Sequence, residues 1–406
     1  MADSTSHFAA FGRCIRIDST NRLTLKRHQG EFSVDVKSTQ GISVGDIVEV
    51  RERTAQVLTP NRSANSLGWT SRVLDPRRIK AVRARTAVEA GIREFFLQSD
   101  FLETRTPTLV PSPGMETHIR PFRVVGLDGA QRFLPTSPEF AMKRLLVGGL
   151  EKIFQLCSAY REEPHSTTHR PEFTMLEWYR AYSGYEQIME DTERLFEFLA
   201  MRLFGKPELT FQGKRISVKT PWPRLQIRDL FQQVASVDLV QTDTSEKLEA
   251  ECKRLGIKTA TTDTWDDLYF RIWLNVIEPK LPEDRAVIVY RYPPSQAALS
   301  VIDEDPDGSK WAKRFEAYAG GLELGNAFEE LTDPKEQRDR FIKDMKLRSE
   351  IYGEEFPPSP LDESFLGALA EGMPPSGGIA MGVDRIVMLF ADEPDIEYTH
   401  WLPIES

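Results

Sequence analysis

Two short segments of the chain bring an arginine, carboxylates and an aromatic side chain together. Tyr160-Arg161-Glu162-Glu163 is followed, after a polar loop, by His169-Arg170-Pro171-Glu172-Phe173-Thr174-Met175-Leu176-Glu177-Trp178-Tyr179. An arginine held on paired strands can grip an α-phosphate and a carboxylate at once through its planar fork. Phe173 is placed to cover an adenine face, and Glu177 and Tyr179 to face a cationic substrate. Far downstream, Gly377-Gly378-Ile379-Ala380-Met381-Gly382-Val383-Asp384-Arg385 adds close backbone approach and a second phosphate-directed arginine. Taken singly, an Arg–Glu pair is usually a surface salt bridge and a glycine pair usually only bends the chain. Jointly, these residues describe the activation of a carboxylate by ATP.

In this combination the chain resembles the class II aminoacyl-tRNA synthetases. The segment 160–179 is similar to motif 2, in the Phe-Thr-Met-Leu-Glu spelling of the lysyl branch, and 377–385 is similar to motif 3. A third block, Phe315-Glu316 through Glu323-Leu324-Gly325-Asn326-Ala327-Phe328-Glu329-Glu330-Leu331-Thr332-Asp333, is also of lysyl type. The resemblance runs from about Arg77 almost to the C-terminus.

The resemblance implies a role for each matching residue. Arg161 and Arg385 would be the catalytic arginines, the first on the α-phosphate and incoming carboxylate, the second on the distal phosphates. ATP would also meet Glu162, Glu163, His169, Phe173, Glu323, Leu324 and Gly382, with Glu163 fixing the adenine amino group. Glu316 and Glu323 would ligate Mg²⁺ as hard oxygen donors. The amino acid would lie against Ser137, Pro138 and Glu139. Glu139, Tyr179 and Glu330 match the group around a lysine ε-ammonium, which needs carboxylates because an unpaired buried charge is costly. Glu177 would take the other amino group, Asn326 the carboxylate side, and Phe328 the aliphatic stem.

Two branches of the family share such a site. Lysyl-tRNA synthetases pass lysine to tRNA; the lysine ligases of elongation factor P pass it, preferably as (R)-β-lysine, to a lysine side chain of that protein. The reduced N-terminal module points to the second branch, as do Phe154-Gln155-Leu156-Cys157 and Ser295-Gln296-Ala297-Ala298-Leu299. So does Ala380, which stands where the tRNA enzymes carry glycine. One added methyl in a tight pocket discriminates by about 1–3 kcal/mol. The expectation is therefore an ATP- and Mg²⁺-dependent ligase acting on elongation factor P. A short lysyl-tRNA synthetase is the second reading, and a silent regulatory paralogue ranks last because the motif residues are present. Arg170 departs from both branches, which carry asparagine there; it either adds a phosphate contact or caps its loop. The segment 113–118 follows neither pattern and falls at the expected pocket lid, and the tail Trp401 to Ser406 matches neither branch well.

The elements that must position these residues read as α+β: a class II catalytic fold, antiparallel sheet flanked by helices, over 71–406, and a small OB-like β domain over 1–70. Five alternating runs begin at Phe11, Leu23, Phe32, Val44 and Ala55. Residues 60–66 form the linker by composition. A helix carrying Val88, Ile92, Phe95 and Phe96 precedes a strand predicted over Glu103 to Leu109; together they resemble motif 1, which implies a homodimer. Helical periodicity recurs at Asp191 to Phe204 and Thr264 to Ile277, with a hairpin at Leu209 to Val218.

A net charge of −10 argues against a general nucleic-acid coat protein. The cluster Arg72, Arg77, Arg78, Lys80, Arg83 and Arg85 reads as a solvated helix start, with a docking patch as the minority reading. Cys14, Cys157 and Cys252 are too far apart in sequence for a CxxC site and fit a reducing cytosol. No N-terminal apolar run of signal or membrane length is seen, so a cytoplasmic protein that contacts no membrane is expected.

Overall fold

The computed structural model describes residues 9–63, 67–353 and 359–403. The expected linker therefore lies partly outside the described residues, at 64–66, as does the end of the tail, at 404–406. The chain divides into two compact units, residues 1–83 with 400–406, and residues 84–399.

The first unit holds β1 (Ala10–Ile17), β2 (Arg22–Arg27), β3 (Gly30–Asp35), β4 (Ile47–Arg51) and β5 (Thr54–Thr59) in one antiparallel OB-like sheet ordered β3-β2-β1-β4-β5. Cys14, Leu23, Leu25, Val36, Val48 and Val50 form its core. The strand predicted from Val44 begins only at Ile47, because Asp46 instead accepts the backbone N–H groups of Ser43 and Asn61. α1 (Gly68–Val73) follows, and α2 (Pro76–Gln98) carries the chain into the second unit.

The basic cluster is not uniformly solvated. Arg78 is buried and donates to the His400 and Arg72 carbonyls. Arg85 is buried as well and pairs with Asp384 and Glu89. Desolvating a guanidinium demands such partners.

In the second unit, α2 is followed by β6 (Leu102–Glu103), the hairpin β7 (Arg123–Val125) and β8 (Gln131–Phe133), α3 (Glu139–Val147), β9 (Lys152–Tyr160), β10 (Glu172–Ala181) and α4 (Tyr185–Phe204). The insertion contributes the hairpin β11 (Glu208–Phe211) and β12 (Lys214–Ser217), then β13 (Arg224–Gln226), α5 (Ile227–Leu230), α6 (Ser245–Arg254) and α7 (Trp265–Ile272). Then come β14 (Val287–Tyr292), β15 (Ile302–Glu304), β16 (Lys310–Ala319), β17 (Leu322–Glu329), α8 (Pro334–Tyr352), α9 (Glu363–Gly372), β18 (Ser376–Gly382) and α10 (Val383–Ala391).

Among the described residues, nine strands form one sheet, in the order β13-β14-β16-β17-β18-β10-β9-β6 with β15 on β16. Only the edge pairs β13–β14 and β6–β9 are parallel. The strand predicted to Leu109 ends at Glu103. Beyond it the Gln155 side chain takes over, accepting from Thr106 N and donating to Thr106 Oγ1, and Pro107 has no N–H to offer a ladder.

Strand alternation sorts side chains between two layers. Leu176 and Trp178 pack into the core with Val88, Ile92 and Phe96 of α2, several residues of α4 and most of α10. Tyr179, on the other face, packs with α3, α8 and α9. The register then aligns two rows across the sheet. Glu316, Asn326, Ala380, Glu177 and Gln155 stand in one, and Arg314, Phe328, Gly378, Tyr179 and Ile153 in the next.

Candidate active site

A cavity of about 260 Å³ opens over these rows. Of the residues expected at the site, Ser137, Glu139, Arg161, Glu163, His169, Phe173, Glu323, Leu324, Asn326, Phe328, Ala380, Gly382 and Arg385 line it. Glu162, Pro138, Glu177, Tyr179, Glu330 and Glu316 do not. Glu162 turns away to a half-exposed pairing with Arg120 at 3.4 Å.

At one end, the Arg161 guanidinium lies 5.2 Å from the Phe173 ring centre, and its buried Nε has no hydrogen-bond partner among the described residues. A buried donor without an acceptor is costly, and an anion in the cavity would satisfy it. Arg385 is fixed by the Glu323 carbonyl at 2.8 Å and by His169 Nε2 at 2.8 Å. Burial and the neighbouring Arg385 hold the imidazole below its usual pKa. A neutral His169 therefore accepts at Nε2, leaving Nδ1–H to donate to Ser166 or Thr168. Gly382 has φ −77°, which any residue adopts, and a Cβ there would meet nothing closer than 3.9 Å. Glycine here keeps the cavity open rather than relieving backbone strain. Arg170 donates to Glu397 Oε2 at 2.9 Å, so its pairing lies with the C-terminal segment.

Glu323 lines the cavity, while Glu316 sits behind it, held by Arg314, by Tyr292 OH at 2.7 Å and by Tyr318 OH at 2.5 Å. Burial and the nearby Glu316 push the Glu323 carboxyl up to about 7. No cluster of three or more metal-binding side chains exists among the described residues. That donor set suits Mg²⁺, which takes one or two carboxylates and completes its shell with phosphate and water. Glu323 could serve as one such carboxylate; Glu316 would have to release a donor to join it.

At the other end, Ser137 Oγ donates to Glu177 Oε1 at 2.5 Å and Tyr179 OH to Oε2 at 3.0 Å. Burial, with Glu139 nearby, pushes the Glu177 carboxyl up to about 8. Behind the wall, Lys143 Nζ lies 2.6 Å from Glu139 and 2.5 Å from Glu330. Burial opposes the Lys143 charge, but the two carboxylates outweigh it and raise its pKa above that of a free lysine. Gly378 makes this packing possible, since a Cβ there would lie 2.3 Å from the Tyr179 ring and 2.5 Å from Glu330 Oε1.

Sequence reasoning missed Lys143, Met175 and Glu116. Lys143 could have been found from its i,i+4 spacing to Glu139 on one helix. Met175 shares the strand face of Phe173, so alternation alone places it in the cavity wall. Glu116 lies in the unmatched segment and left no sequence signal.

Residues 68–406 match the family described as tRNA synthetases class II (D, K and N). The chain is 35% identical over 334 residues to a lysine–tRNA ligase of Carboxydothermus hydrogenoformans, covering 82% of this chain and 67% of that protein. It is 37% identical over 317 residues to a lysine–tRNA ligase of Rhizobium etli, covering 77% of this chain and 61% of that protein. A lysine–tRNA ligase of Dehalococcoides mccartyi is 35% identical over 314 residues, again with 61% of its length covered. The chain thus spans under two thirds of the length of most of these relatives.

Proposed function

The chain belongs to the class II tRNA synthetases (D, K and N), its antiparallel-dominated sheet being the catalytic fold of that class, and from that premise we propose that it is an ATP-dependent ligase that adenylates lysine. The observation that carries the reading is Arg161, whose buried Nε, without a partner among the described residues, and aromatic bed at Phe173 suit an anion.

A substrate carboxylate oxygen attacks the α-phosphorus as the bond to pyrophosphate breaks, and an acceptor amine then takes the acyl group as AMP leaves. Arg161 orients the carboxylate on the phosphate and offsets the charge that develops between them. Arg385, fixed by His169 and Glu323, holds the departing phosphates. Bound Mg²⁺, on Glu323, would supply further charge neutralisation. The acidic far end receives a cationic side chain.

For the acceptor, we favour a lysine side chain of elongation factor P, with (R)-β-lysine as the preferred donor and the cytoplasm as the compartment. Ala380 supports this by placing its methyl in the cavity wall, as does the 295–299 segment, whose Ala298 and Leu299 line the cavity. The second reading, transfer to tRNA, is favoured by the names of the relatives. A homodimer belongs to the proposal, supported by the exposed Leu97, Leu102 and Leu109 around the motif 1-like segment. The test is an acceptor competition with ATP, Mg²⁺ and either lysine isomer. A lysine-sized mass gain on elongation factor P with uncharged tRNA supports the first reading; charged tRNA with unmodified protein overturns it.

A further inference from the structure

Four consecutive residues of the loop between β9 and β10 are held by one element, α10 together with the turn that follows it. Ile396 N donates to the Thr167 carbonyl at 2.9 Å, and Arg385 Nε to the Thr168 carbonyl at 3.4 Å. Arg385 also meets His169 Nε2 at 2.8 Å, and Arg170 Nη1 donates to Glu397 Oε2 at 2.9 Å. His165 Nε2 lies 3.7 Å from the same Glu397 oxygen. The loop carries Glu163, which lines the cavity with Thr168, His169, Arg170 and Ile396.

The turn that presents Glu397 is itself well anchored. Glu397 N donates to Asp395 Oδ1 at 3.0 Å and Tyr398 N to the Asp395 carbonyl at 3.1 Å. Thr399 Oγ1 donates to the Ile396 carbonyl at 2.7 Å, and the buried Arg85 holds the Thr399 carbonyl, also at 2.7 Å. Ile396 and Thr399 are both buried. An ion pair on an open surface holds little, because water and salt screen it. The Arg170 and Glu397 side chains are only 12% and 20% exposed, so their charge-assisted bond is sheltered and can fix a geometry.

We propose that Glu397 is a positioning residue for ATP: by gripping Arg170 it holds the 163–170 loop in its nucleotide-binding form before ATP arrives. The inference rests on the reading above that ATP lies at the Arg161, Phe173 and Arg385 end of the cavity. A loose loop would have to be ordered at the expense of binding energy, so a loop ordered in advance appears as ATP affinity. Ser137 and Glu139, at the amino-acid end, sit on α3 and the residue pair before it, so lysine affinity does not depend on this grip.

The test measures ATP affinity by equilibrium calorimetry for wild type, Glu397→Ala, Arg170→Ala and the double variant. Lysine-dependent ATP–pyrophosphate exchange supplies the KM for each substrate. Glu397→Ala should weaken ATP binding about tenfold, the scale of one charge-assisted hydrogen bond. It should leave the KM for lysine close to that of wild type. Because the two side chains act as a pair, the double variant should bind ATP little worse than Arg170→Ala alone. Unchanged ATP affinity in Glu397→Ala, or losses that add in the double variant, would overturn the inference. Equal rises in both KM values would also overturn it, by reducing Glu397 to a structural role. Wild type that binds ATP without lysine-dependent exchange would defeat the adenylation reading, and the ATP affinities of the variants would still decide this inference. Wild type that binds no ATP would overturn both.

Discussion

Lys143 Nζ lies 2.5 Å from Glu330 Oε2, so the chain supplies its own ammonium to a carboxylate that the sequence sets aside for the substrate's. With Glu139 on its other side, Lys143 bridges the two, and its side chain is fully buried. The substrate end of the cavity is therefore less acidic than a count of glutamates suggests.

Replacing Lys143 with Met should be severe. It would leave Glu139 and Glu330 facing each other without a buried counter-ion, a loss of about 3–5 kcal/mol by the cost of breaking a buried pair. Urea denaturation measures it. A variant as stable as wild type would mean that the two carboxylates are already neutral.

Stability should also fall as pH rises. Glu177 titrates near 8 when folded against an ordinary 4.5, so between those values the folded state keeps a proton that the unfolded chain has lost. The unfolding free energy then decreases with pH across that window, by at most about 1.4 kcal/mol per unit for this group. Glu177→Gln should flatten the slope between pH 5 and 8. An unchanged slope would remove Glu177 as its source.

Arg161→Ala should abolish most adenylate formation while leaving the fold intact, because the native Nε satisfies no acceptor among the described residues. Arg385→Ala should weaken ATP binding first, and it frees His169 as well. Loss of an electrostatic contact of this kind typically costs about 10²–10³ in rate. Exchange kinetics within tenfold of wild type for both variants would sink the assignment.

Gly378→Ala is a small change with a large expected effect. The new methyl would collide with the Tyr179 ring and with Glu330. Overpacking costs about 1–3 kcal/mol. It should also raise the KM for lysine more than that for ATP, since the displaced Tyr179 donates to Glu177. Equal changes in both constants would argue that the damage is general.

The sequence alone determined which side chains share a face in the strands it shows as alternating runs, though not where β4 begins or β6 ends. Alternation along 172–181 separates Phe173, Met175, Glu177 and Tyr179 from Leu176 and Trp178, and that is local geometry. It likewise brought the glycine-rich strand and the carboxylate-bearing hairpin into the reading, because each carries its motif within a few consecutive residues. Only the tertiary structure decided which carboxylates face the cavity. Arg170 meets Glu397 across 227 residues, Arg348 grips the Glu116 loop across 232, and Lys143 fills the gap between helix α3 and the end of β17. Such pairings depend on how layers stack and which buried charge finds a partner first, and a chain's local pattern carries no record of either.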